Sequence, residues 1–209
     1  MANANAPSGL TPVKNLNGSP WNGQANIYSI AASYNTALYI GDPVISSGTA
    51  DANGVQGIAL AAATGAIRGV IVGLGTNGST VAGESIMGNV NNLNIAYRPA
   101  SDPSIWYAMV VDDPNVIFEV QEHANGTQLA ATEVGLNQVL YLAAGAGNVS
   151  GWMLASYSDA TPNTTATLQV RLLGLSRYPG NQNVFGAYAK WLVQINVHEL
   201  GHGTGAAGV

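Results

Sequence analysis

The sequence predicts an all-β fold, a β-barrel or β-sandwich of which a jelly roll is one form, behind an extended N-terminal arm. Three observations predict it. Two stretches toward the C-terminus alternate apolar and polar residues with a period of two, the pattern of a strand with one buried face. The 209 residues include 26 glycines and 21 asparagines, which favour turns over long helices. Short apolar runs recur between those turns at the spacing of a sandwich or barrel.

Residues 1–36 read as the arm. Pro7, Pro12, Pro20, Gly9, Gly18 and Gly23 break any period over the first 26 residues, so this segment either stays mobile or is ordered by lying on something else. Removing residues 1–26 is therefore expected to leave the β-rich body, residues 37–209, folded. Within the body, residues 37–40 begin a β pattern that turns at Gly41-Asp-Pro43. Residues 67–72 form an apolar run bounded by glycines, as a buried strand would be. Residues 105–111 read as a strand, Asp112-Asp-Pro-Asn115 as a turn, and residues 116–122 as the next strand. Its Val116, Phe118 and Val120 share one face; Glu119, Gln121 and His123 share the other, partly wet one. Residues 128–134 contain helix formers that Gly135 interrupts, and residues 139–142 and 151–157 read as strands. In residues 165–172, Leu168, Val170 and Leu172 face in, with Gln169 and Arg171 out. In residues 191–197, Trp191, Val193, Ile195 and Val197 face in, with Gln194 and Asn196 out. A glycine-rich tail follows.

Charged residues make up 8% of the chain, against about 25% in an ordinary globular protein, and the net charge is −5. The surface must rest on Asn, Gln, Ser, Thr and Gly. The six basic residues, Lys14, Arg68, Arg98, Arg171, Arg177 and Lys190, are scattered, so no patch is expected to neutralise a phosphate backbone. Without cysteine there is no disulfide, thiolate zinc site or thiol nucleophile. The first residues lack the basic and apolar regions of a signal peptide, and no apolar run reaches the ~18 residues of a membrane helix.

The most conspicuous motif is His198-Glu-Leu-Gly-His202. In zinc hydrolases such a pair of histidines, one helical turn apart, chelates the metal, and the glutamate polarises its water. Here the motif continues an alternating strand and enters a segment with glycines at 201, 203, 205 and 208, each costing a helix about 0.8–1 kcal/mol relative to Ala. The position that would extend the ligand set is Gly208, and the only other histidine is the distant His123. A polar strand end is the expectation. Gly73-Leu-Gly-Thr-Asn-Gly78 has the spacing of a dinucleotide loop, but no helical stripe or downstream acid follows it. Asp112 and Asp113, with Glu119 and Glu122, have the composition of a carboxylate cluster, although Asp-Asp-Pro-Asn is ordinary turn chemistry.

The order of several segments resembles that of a family of tailed-bacteriophage head decoration, or capsid cement, proteins. The stretches that carry it are Leu-Tyr-Ile-Gly-Asp-Pro-Val at 38–44, Ile-Arg-Gly-Val-Ile-Val-Gly at 67–73, Tyr-Arg-Pro-Ala at 97–100, residues 111–122 around Asp-Asp-Pro-Asn, Thr-Ala-Thr-Leu-Gln-Val-Arg-Leu-Leu-Gly-Leu at 165–175, residues 189–196, and the Gly-Thr-Gly ending. The resemblance implies a β-rich virion structural protein, made in the host bacterial cytoplasm and bound to the capsid exterior. Its partners would be the major capsid protein and itself, as a homotrimer or homodimer, with no nucleic acid or membrane. It implies no catalytic residue, cofactor or metal. Two alternatives compete: a zinc metallohydrolase using His198, His202 and His123 with Glu199 as base, and a virion-displayed carbohydrate-binding β module using Trp21 or Trp106.

Overall fold

Strand propensity and turn residues yield fourteen short strands among the described residues. The structure, a computed structural model, describes residues 3–76, 94–143, 147–178, 182–201 and 204–208. In chain order they are β1 (Thr11–Asn15), β2 (Asn26–Ile30), β3 (Leu38–Tyr39), β4 (Pro43–Ala50), β5 (Gln56–Leu60), β6 (Gly69–Thr76), β7 (Tyr97–Arg98), β8 (Trp106–Val111), β9 (Val116–Gln121), β10 (Asn137–Gln138), β11 (Leu140–Leu142), β12 (Trp152–Leu154), β13 (Val170–Leu175) and β14 (Lys190–Ile195). The fold is all-β, with 40% of the chain in strands. The helix formers of residues 128–134 yield one 3-10 turn, Ala131–Glu133, and β10 begins two residues after the interrupting Gly135.

The strands form two main layers. One is an antiparallel sheet in the order β1-β9-β14-β13-β10. The other pairs in the cyclic order β2-β5-β4-β6-β8 and back to β2, a barrel-like ring. Its thinnest junction is the parallel contact of β2 with β5 at Ser29 and Gly57; the other four are antiparallel. Two further pairs, β3-β7 and β11-β12, flank these layers.

Two cores follow from the register. Ile71, Leu74, Trp106, Ala108 and Val110 fill the ring together with Tyr28, Ile30, Leu38, Val44 and Ile58. Val70 and Val111 point the other way and join Phe118, Val120, Trp152, Trp191 and Val193 in the core of the sheet. β6 and β8 are thus buried on both sides over most of their length, with Met109 of β8 exposed. That accounts for the unbroken apolar run at 69–72, where a half-exposed strand would alternate.

The arm requires correction. Residues 11–15 pair with β9 as the edge of the sheet, and residues 26–30 are a strand of the ring. Leu10 is 1% exposed within the sheet core, and its N–H donates to Gly41 O at 2.9 Å. Gly9 and Gly41 both have positive φ, and a Cβ on either would collide with the other segment's backbone, so the crossing admits only glycine. Even residues 3–6 lie on the body: Asn3 bonds the main chain of Val184 and Ala187, while Asn5 and Ala6 bond the Gln121 side chain. These contacts and Met153 bury Gln121, on the face expected to be partly wet.

Two alternating stretches also depart in part from expectation. Residues 165–169 form turns, and only 170–175 is strand. Gln169 and Asn196, expected outward, are buried. Gln169 donates to Ala62 O and accepts from Leu140 N–H, while Asn196 donates to Ala166 O and Leu168 O and accepts from Ala206 N–H. Trp191, Val193, Ile195 and Val197 do face in.

Candidate functional site

The C-terminal histidine motif begins where β14 ends. An isolated parallel bridge at His198 lays the chain beside Ile67: Ile67 N–H donates to Val197 O at 2.9 Å, and Glu199 N–H donates to Ile67 O at 3.0 Å. A turn follows, closed by Gly201 N–H on His198 O. The His198 ring is 1% exposed and its Nδ1 accepts from Leu200 N–H at 3.0 Å. Nδ1 is therefore unprotonated, and the proton sits on Nε2, which is buried without a hydrogen-bond partner. Burial pulls this imidazole below its ordinary pKa, against the attraction of Asp112 and with Arg68 acting in the same direction as burial. The Glu199 carboxylate accepts from the Ser46 N–H and hydroxyl and faces Arg68 Nη1 at 3.8 Å. His198 and Glu199 thus fasten the chain after β14 to Ile67 and β4, with no helical turn between them. His202 lies outside the described residues. His123 belongs to another cluster, its Nδ1 2.8 Å from Asp159 Oδ2 and its ring stacked on Tyr141 at 4.2 Å. Among the described residues no three His, Asp or Glu side chains group so as to hold a metal ion.

Gly73 and Gly75 lie inside β6, and Gly78 with the residues after it to 93 lies outside the described residues. The four carboxylates of 112–122 have separate partners. Asp112 accepts from Asn26 Nδ2 at 2.8 Å and from the Tyr28 hydroxyl. Asp113 caps its own turn through Asn115 N–H. Glu119 takes Ser176 and Lys190. Glu122, fully buried, accepts from Leu129 N–H at 2.7 Å and Trp191 Nε1–H at 2.9 Å, and burial pushes its carboxyl up to about 7. Trp106 is part of the ring's core, and Trp21 is half-buried against the sheet's core with its indole N–H on Gln24 O.

Two features have no sequence signal of their own. One is the polar chain Asn26–Asp112–Tyr28–Arg68, which continues to Gln56 and Glu199 and ties ring strands to the C-terminal segment. The other is a pair of grooves. A polar groove of about 610 Å³ is lined by Asn15, Leu16, Asn17, Gln24, Asp113 and Asn115. A mostly apolar one of about 420 Å³ is lined by Tyr39, Leu60, Leu142 and Trp152, with the carboxylate residue Asp42 in its wall. The sequence marks Asp42 only as the middle of a turn.

Comparison with protein-family models, curated proteins and solved structures finds no match to this chain.

Proposed function

We propose that this protein is a virion structural protein that decorates and stabilises the outside of a phage capsid by binding the major capsid protein, as a closed homo-oligomer. The observation that carries the reading is the ordered series of segments that resembles the cement family. Three of them contain β9, β13 and β14, which are neighbours in one sheet, and a fourth contains most of β6 in the ring. The resembling stretches thus form a connected framework instead of isolated matches.

The chemistry of the surface agrees with such a role. With 17 ionic residues in 209, binding must come from amides, hydroxyls and single exposed apolar groups such as Leu16, Ile27, Met109 and Leu200. A repeated shell offers many equivalent sites, so weak neutral contacts add up across an oligomer through avidity. His198 and Glu199 have holding roles in the fold, which leaves the metallohydrolase alternative without an assembled site among the described residues.

The test is quantitative mass spectrometry of purified intact heads, alongside metal analysis of the isolated protein. The expected result is hundreds of copies per head and no stoichiometric zinc. Absence from mature heads, or one zinc per chain lost in His198→Ala, overturns the proposal.

A further inference from the structure

The apolar groove holds a charge with no counter-charge among the described residues. Asp42 is 2% exposed and lies in the groove wall. Its Oδ2 accepts from Tyr39 N–H at 2.8 Å, and the Ser150 hydroxyl also bonds the carboxylate. The ion pairs among the described residues are Arg68–Glu199, His123–Asp159 and Lys190–Glu119; none includes Asp42. Burial raises its carboxyl to about 6, so at neutral pH it is largely ionised in a poorly solvated place. Such a group is costly unless paired. Around it the walls are apolar or aromatic: Leu60, Leu142, Tyr39 and Trp152.

From this complementarity we infer that the groove receives a lysine or arginine side chain presented by a partner protein. The aliphatic stem packs on Leu60 and Leu142, and the cationic head reaches Asp42 beside the Tyr39 ring. A cavity of about 420 Å³ has room for one such side chain and part of its backbone. A small inorganic cation leaves the apolar walls uncovered, and an apolar side chain leaves the charge unpaired. The inference stands whether or not the partner is a capsid protein.

The experiment is an NMR titration of the full chain, following the Trp152 indole N–H. The probes are acetyl-Gly-Lys-Gly-amide, its arginine counterpart, and the norleucine counterpart as a neutral isostere. Saturable shifts are expected with the two cationic peptides in the millimolar range and at least about tenfold weaker binding of norleucine. Asp42→Asn is expected to weaken the cationic peptides by about tenfold or more. Leu142→Lys, at an exposed rim position, supplies a cation from the chain itself; it is expected to shift the indole without peptide and to abolish the response. Equal binding of norleucine, no shift in a folded protein, or wild-type titration of Leu142→Lys overturns the inference. Indole shifts that depend on protein concentration without peptide assign the groove to a second copy, and also overturn it. If Asp42→Asn does not fold, the norleucine and Leu142→Lys arms decide.

Discussion

Two buried titratable residues show how much of this fold depends on single hydrogen-bonded side chains. Glu122 has its folded pKa raised, so the native state holds its proton more tightly than the unfolded chain does. The stability this contributes is complete below the ordinary glutamate range and disappears as pH rises to about 7. His198 is shifted the other way: its folded pKa lies below 6.5, so its contribution is present above that value and is lost as pH falls through the folded pKa. The two oppose each other in mild acid, and variants separate them. Glu122→Gln turns an amide N–H₂ toward either Leu129 N–H or Trp191 Nε1–H, both donors. It is expected to cost about 1–3 kcal/mol at pH 5, and to cost less by pH 8, in urea unfolding. A difference between wild type and variant that does not change from pH 5 to 8 refutes the assignment. His198→Asn keeps an acceptor for Leu200 N–H and removes the titration, so its loss of stability between pH 7 and 5 is expected to be smaller than that of wild type.

Elements with a strong period were legible in the sequence, and those whose fate depends on distant partners were not. Residues 105–111, 116–122 and 191–197 read as strands because their apolar residues follow the period-two pattern or form a short apolar run, and β8, β9 and β14 occupy most of each. The segment before residue 37 has no period and reads as an arm, yet it supplies an edge strand and a ring strand. A strand lying on a preformed edge needs only main-chain groups and one or two anchors, and Thr11–Asn15 has little else. Of the candidate chemistry, the wrong backbone for a metal helix was legible from the glycines. The Asp42 groove was not, since its walls come from residues as far apart as Tyr39 and Trp152. The anchoring role makes a sharp prediction. Leu10→Ala is expected to destabilise the protein by about 2–5 kcal/mol, a fall in Tm of roughly 5–15 °C by calorimetry. Leu16→Ala, six residues on but 54% exposed, is expected to stay within about 0.5 kcal/mol of wild type. Equal, small effects at both positions restore the free-arm view.

Across the whole molecule, scarcity of charge shifts ordinary duties onto amides. Asn137, Gln138, Gln169 and Asn196 are buried and bond main-chain groups between strands too short to satisfy themselves. Arg98, also buried, donates to five carbonyls, of Ala31, Tyr34, Thr36, Pro99 and Asp102, and gathers the loops around β3 and β7. This explains why a binary polar-apolar pattern places some of these residues outside: an amide that caps backbone inside a sheet is indistinguishable in sequence from one that meets water. The same composition governs association. Exposed ion pairs fade as the Debye length shrinks from about 8 Å at physiological salt to about 3 Å at 1 M, whereas neutral hydrogen bonds and apolar contacts do not. A single pair enclosed at Asp42 is screened far less than an exposed one. On the capsid-decoration proposal, attachment measured by co-sedimentation is therefore expected to change by less than about threefold between 0.1 and 1 M NaCl. Release of the protein over that range, with its fold intact by circular dichroism, means that exposed charge holds it to the particle and that neutral contacts do not.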